Sequence, residues 1–319
     1  MVSRRILRIK TIQLLYAYYK SSGNSVRSAE KELLFSIQKT YDLYHYLLLL
    51  IINVADYALS RIEIARQKKI PSREDLHPNT KFVENKIIAQ LRSNRQFNEY
   101  LRHTKLSWVN YPELVRNLFN SIRESEHYKE YMNNEDRSYE EDKKLITEIF
   151  VRDIAASEDL CQNLEEQSIY WNDELEFVIS IIIKTIRKFR ADNGEPVKIP
   201  PLFKNEEDIE FVKRLFRKAI LNSEEYRKLI EEFAKNWEIE RIAFIDMLIM
   251  QTAIAEAIEF PSIPIKVTFN EYLEIAKYYS TSKSSVFING LLDKIFSHLK
   301  DKNIIKKSGR GLIGENLQP

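Results

Sequence analysis

The chain has 319 residues, 44% of them apolar, and a formal charge of only +2, because 49 Lys and Arg stand against 47 Asp and Glu. That is enough apolar material for two ordinary domains, or for one domain carrying a large insertion, without covalent staples. Cys161 is the only cysteine, which excludes an internal disulfide and suits a reducing, cytoplasmic setting.

The composition also removes several kinds of chemistry. Six glycines occur in the whole chain, and none forms the G-x-x-x-x-G-K or G-x-G-x-x-G loops that cradle phosphates. The five histidines show no metal-binding spacing, and a lone cysteine cannot complete a zinc site, so no metal and no cofactor is expected. The carboxylates alternate with Lys and Arg along polar faces and define no catalytic pair. Cys161 sits among acidic residues, which disfavour a reactive thiolate. The apolar run Tyr46 to Ile52 is soon followed by Asn53 and Asp56, whereas a membrane helix needs about 20 apolar residues. The N-terminus lacks the apolar core and cleavage site of a signal peptide. The reading is therefore of a binding protein that is not an enzyme and has no membrane partner.

Apolar spacing predicts helices over 4–20, 30–66, 79–103, 111–133, 138–156, 158–190, 206–234, 237–259, 267–279 and 284–300, giving an all-α fold. Prolines 71, 196, 200, 201, 261 and 264 fall between these runs and Pro112 at the start of one, where a missing backbone donor does least harm. The strongest break is Asp192-Asn-Gly-Glu-Pro196 followed by Pro200-Pro201, where a domain boundary is expected. Asn236 is placed to cap the following helix, and Trp237 to anchor it between neighbours. Thr268-x-x-Glu271 has capping-box spacing, although Thr268 can also lie inside its helix. Residues 301–319 read as a disordered basic tail.

Charge is distributed unevenly. No acid precedes Glu30, while Arg4, Arg5, Arg8, Lys10, Lys20 and Arg27 do; the segment Glu141 to Glu176 is acidic. In a helix, Arg4, Arg5 and Arg8 share an arc of about 100°, so one side can dock while another stays cationic. Guanidinium groups are permanently charged, fork onto phosphate oxygens and stack on unpaired bases, which makes RNA a natural ligand; a merely solvated arm is the competing reading.

The C-terminal third carries Asp246, Ala253, Glu256, Ile263-Pro264, Asn270-Glu271, Leu273-Glu274-Ile275-Ala276-Lys277, Ser284 and Phe287-Ile288-Asn289-Gly290-Leu291-Leu292-Asp293-Lys294. Together with the N-terminal Arg4-Arg5-x-x-Arg8, Gln13 and Leu15-Tyr16, this resembles the NusB transcription antitermination family, over residues 206 to 297 and the first helix. The resemblance implies a NusB-like helical bundle that pairs with the ribosomal protein NusE, binds single-stranded boxA-type RNA and joins the RNA polymerase elongation complex during ribosomal RNA transcription. It carries the RNA-binding role to Arg4, Arg5, Arg8 and Gln13 on the first helix and to Lys283, Ser284 and Phe287 at the start of the last. Those two elements must then lie side by side. Phe287 also continues the apolar face of Ile288, Leu291, Leu292 and Ile295, so stacking on a base and packing in the core both remain open. Asn289 and Gly290 read as structural, with Gly290 permitting a close helix crossing, and Asp246 and Glu256 as satisfied buried carboxylates. The sequence departs from the family pattern at Gln251, where a basic residue is usual, and at Ala255, where an aromatic is usual. Typical members are also much shorter. The simplest organisation is a first helix at 1–20, a helical insertion at 21–205 of unknown role, the main part of the NusB-like domain at 206–300, and the tail. A helical scaffold without RNA binding, serving transcription or ribosome assembly, is the alternative.

Overall fold

The computed structural model describes residues 1–21, 23, 25–191, 198–234 and 242–313, without the side chains of 282 and 283. Among them are the α-helices α1 (Arg4–Lys20), α2 (Val26–Arg66), α3 (Arg73–Leu76), α4 (Lys86–Ser93), α5 (Arg95–Thr104), α6 (Pro112–Glu124), α7 (Glu126–Asn133), α8 (Tyr139–Glu148), α9 (Glu158–Gln167), α10 (Leu175–Lys188), α11 (Glu206–Leu221), α12 (Ser223–Phe233), α13 (Phe244–Glu259), α14 (Ile265–Tyr279) and α15 (Ser282–Asp301). No strand occurs among the described residues, as the glycine-poor, helix-periodic sequence requires. The predicted 79–103 and 111–133 each divide in two. Asn94 and Ser125 accept hydrogen bonds from the next helix's first turn (Phe97 N at 2.8 Å, Tyr128 N at 3.4 Å), so each caps a new helix within its predicted run. Asn236, Trp237 and the whole of the expected 192–196 break lie outside the described residues.

The chain forms two units. One comprises residues 38–202 with Met1, the other residues 2–37 with those from 203 on. The second unit thus reaches past the expected break at residue 20, because Ala29, Leu33 and Ile37 of α2 are buried and Glu30 pairs with Arg217 of α11.

In the 38–202 unit, α2 is apolar on nearly every side between Leu43 and Ala55, which is the pattern of a helix enclosed by others. Its backbone carbonyls also hold two tryptophans. Trp108 Nε1 donates to Tyr46 O at 2.9 Å and Trp171 Nε1 to Lys39 O at 2.8 Å, and the Trp108 ring stacks on Tyr46 at 3.8 Å. His45 is sealed against Tyr100 and Phe97, with ring centroids 3.8 and 5.8 Å away, and burial lowers its pKa to about 4. Cys161 is half-buried; its thiol is pushed up first by burial and then by Glu165. Helix α8 runs on into a π-helical turn, Ile149–Ile154.

In the other unit α13 is the central helix. Leu248, Ile249, Met250, Ala253, Ile254, Ala255 and Ala257 are all buried, because α1, α11, α12, α14 and α15 each pack against it. Thr268 lies inside α14 rather than at its cap. The segment after Asp301, expected to be a disordered tail, is instead folded back as far as Ile313. Lys307 Nζ donates to Ala257 O at 2.8 Å and Phe260 O at 3.0 Å, Ser308 N donates to Pro261 O at 3.1 Å, and Ile305 is buried. Gly311 makes this fit possible, since a Cβ there would lie 1.9 Å from Pro261 O. A polar composition suggested disorder; satisfied carbonyls at the end of α13 and one close backbone approach overrule it.

Candidate nucleic-acid interface

Helix α1 is anchored by Ile6, Leu7, Ile12, Leu14 and Leu15, which are buried against the unit that contains α11 and α13. Its first turn has no acid and no side-chain cap, so the positive helix end and the arginines reinforce one another. The fold then answers each arginine with a carboxylate. Arg4 Nε donates to Asp208 at 3.0 Å, with Glu207 at 3.8 Å and the Phe211 ring beneath at 5.0 Å. Arg5 donates twice to Glu271, at 2.9 and 2.7 Å, and this hydrogen bonding lowers the pKa of the Glu271 carboxyl. Arg8 donates twice to Glu256, at 2.7 and 2.8 Å.

Arg8 therefore corrects an expectation. Only 3% of it is exposed, and Glu256 is closed to solvent, with Thr268 and Tyr272 donating to it from α14 at 2.8 and 3.2 Å. Desolvation opposes the Arg8 charge, but the adjacent Glu256 raises its pKa overall, so the guanidinium is a structural cation tying α1 to α13. It has no free face for a phosphate. Glu256 is the satisfied buried carboxylate that was expected. Asp246 is buried too, but its Oδ1 has no hydrogen-bond partner among the described residues, so that expectation is not met.

The remaining predicted residues fall into two places. Gln13 Nε2 reaches Tyr279 Oη at 3.4 Å, at the end of α14, and Thr281 two residues later caps α15 by accepting from Ser284 N at 3.2 Å. Gln13 is thereby brought to the junction that leads into Ser284 and Phe287. Arg5 lies eight residues earlier on α1, about 12 Å along its axis at 1.5 Å per residue. Both Ser284 and Phe287 are half-buried, and the Lys283 side chain lies outside the described residues. Asn289 and Gly290 are exposed, and a Cβ at Gly290 would meet nothing within 4 Å, so Gly290 does not serve a close helix crossing as expected.

The face of α1 left open is a stripe that the motif reading only partly identified. At 100° per residue, Arg5, Ile9, Gln13, Tyr16 and Lys20 fall within about 80° of one another. Tyr16 is 42% and Phe244 38% exposed; their centroids are 5.5 Å apart, and Tyr19 meets Phe244 edge-on at 6.2 Å. Lys20 Nζ stands 5.7 Å from the Tyr16 ring and 4.9 Å from that of Phe244. A cation over half-open rings beside an amide offers charge, stacking and hydrogen bonding together, which are the contacts an unpaired nucleic-acid strand uses. Tyr16 and Lys20 were discoverable from helical spacing. Phe244 was not, because only the packing of α13 against α1 brings it there.

An arginine-headed first helix is thus laid on an all-helical bundle centred on α13, and its open stripe of cation, amide and aromatics is the candidate interface. The sequence pattern of the NusB family matches residues 190–297. The transcription antitermination protein NusB of Salinibacter ruber is 43% identical over 114 residues, 36% of this chain and 71% of that protein. The protein of the same name from Chloroherpeton thalassium is 43% identical over 104 residues, covering 33% of this chain and 49% of its own length. That from Geotalea daltonii is 36% identical over 141 residues, covering 44% and 94%. No solved structure matches the chain. The chain belongs to the NusB family, whose pattern leaves the residues before 190 unmatched.

Proposed function

We propose that the protein is a transcription antitermination factor that binds single-stranded boxA-type RNA together with NusE and joins the RNA polymerase elongation complex in ribosomal RNA transcription. It acts as an adaptor in the cytoplasm and catalyses no reaction. The observation that carries this reading is the open stripe Arg5, Gln13, Tyr16 and Lys20 with Phe244 beside it. Arg4 and Arg5 would exchange carboxylates for phosphates, Gln13 would meet a base edge, and the rings would stack on bases. Lys283, Ser284 and Phe287 would continue the surface from the start of α15. Arg8 contributes by holding α1 in place.

A second reading has its own support. Arg4, Arg5 and Arg8 are all engaged by carboxylates, as they would be in a helical scaffold that does not bind RNA. Electrophoretic shift of a boxA-type strand, with and without NusE, separates the two. The adaptor binds the strand, and binds it more tightly when NusE is present. With three to five phosphates neutralised, log K falls against log salt with a slope of roughly −2 to −3.5. Absence of any shift in either condition selects the scaffold.

A further inference from the structure

The insertion carries a cationic face of its own. Helix α10 is amphipathic: Val178, Ile179, Ile182 and Ile186 are buried, and Lys184, Arg187 and Lys188 lie on the opposite side at i, i+3 and i+4. Arg190 follows directly. All four are exposed, and among the described residues none has a carboxylate within ion-pair distance. This contrasts with α1, whose arginines are all paired. The end of α10 is held by side chains from two other helices. Gln90 Nε2 of α4 donates to Arg190 O at 2.9 Å, and Tyr139 Oη of α8 donates to Gln90 Oε1 at 2.8 Å. Arg190 Nη1 turns back onto the carbonyls of Arg187 and Phe189, at 2.9 and 3.0 Å. Glu140, beside Tyr139, is engaged by Lys143 at 3.4 Å, and Glu176 lies two turns back along α10. The helix dipole favours cations in its last turn only, and Lys184 stands outside it.

We propose that Lys184, Arg187, Lys188 and Arg190 form a second RNA-contacting surface, which binds the phosphate backbone without reading sequence. Permanently charged guanidiniums and flexible ammoniums without a carboxylate partner among the described residues have counter-ions to release, and that release is the main driving force of phosphate binding. The face does not fit a lipid surface, because among the described residues no large apolar side chain between Ile169 and Leu221 is exposed. Four cations on one exposed helix end match the repeated charge of a phosphate backbone, so the binding is to backbone. The inference rests on the reading of the chain as an RNA-binding factor, which it extends from α1 to the insertion.

The test compares the full chain with the variant Lys184→Gln, Arg187→Gln, Lys188→Gln, using a boxA-type strand of about 12 nucleotides and the same strand extended to about 40. The expected result is unchanged affinity for the short strand and a loss of roughly tenfold or more for the long one. The slope of log K against log salt for the long strand then shrinks by about 2, since each neutralised phosphate on a single strand contributes about 0.7. Equal affinities and slopes for variant and parent on both strands overturn the inference and leave the proposed function untouched. If the parent binds only the long strand and the variant loses it, the inference stands and the boxA reading fails. Binding of neither RNA, with charge-dependent binding to phosphatidylserine vesicles or an acidic peptide instead, overturns it. The three positions are exposed, so both proteins should unfold at the same temperature, which confirms that folding is not the variable.

Discussion

Arg8 and Glu256, 248 residues apart in sequence, meet through two charge-assisted hydrogen bonds of 2.7 and 2.8 Å in a site closed to solvent. This pair fixes the rotation of α1 about its own axis. With Arg8 turned inward, Arg5, Gln13, Tyr16 and Lys20 must face out.

Breaking the pair on one side leaves a buried charge without compensation. Glu256→Gln is expected to cost about 3 to 5 kcal/mol in urea unfolding, as buried ion pairs generally do when one partner is removed. The double variant Arg8→Met, Glu256→Met should recover most of that loss. A cost below about 1 kcal/mol for Glu256→Gln would show that the pair does not hold α1.

Arg5 and Glu271 form an accessible pair, and here the carboxylate competes with phosphate. Glu271→Gln should raise RNA affinity at low salt and cost less thermal stability than Glu256→Gln, because Arg5 is half-exposed although Glu271 also lies 3.5 Å from the buried Arg8. Arg5→Gln should lower affinity and reduce the salt slope by about 0.7. Filter binding across a salt series reads both.

The ring cluster at the end of α1 predicts a contribution that does not depend on salt. Tyr16→Ala or Phe244→Ala should weaken binding of single-stranded RNA by about 1 to 3 kcal/mol per base unstacked, with the salt slope retained. Tyr16→Phe should keep most of the affinity, since it keeps the ring face. Equal loss in Tyr16→Phe and Tyr16→Ala would point to the hydroxyl instead.

Acid should destabilise the 38–202 unit through His45. Its pKa is about 4 in the folded chain and near 6.5 when unfolded, so the unfolded state binds the extra proton between those values. The stability is full above about pH 6.5 and is lost as pH falls toward 4, by up to about 3 kcal/mol. His45→Phe, which keeps a ring in the Tyr100 and Phe97 stack, should flatten that acid limb when unfolding is followed by tryptophan fluorescence from Trp108 and Trp171.

Gly311→Ala tests the docked tail. The added methyl would meet Pro261 O at 1.9 Å, so the segment must lift away or the chain must distort, at a cost of about 1 to 3 kcal/mol. Limited trypsin cleavage after Lys306 and Lys307 should accelerate in the variant. Unaltered cleavage would mean that the tail does not dock in solution.

The sequence by itself determined the all-helical class and most helix positions, because 3.6-residue apolar spacing and proline stops act locally. It determined the family resemblance as well, since Arg4-Arg5-x-x-Arg8 and the Glu256 to Lys294 stretch are short-range patterns. It could not say which arginine points outward: on a helical wheel Arg4, Arg5 and Arg8 share one arc, and only the position of Glu256 on α13 draws Arg8 into the interior. Nor could it bring Phe244 to Tyr16, set Gly311 against Pro261, or show that the cations of α10 have no carboxylate partner among the described residues. Each of those depends on which residues distant in the chain become neighbours in space. Charge pairing and close packing act through that distance alone, and helical periodicity carries no information about it.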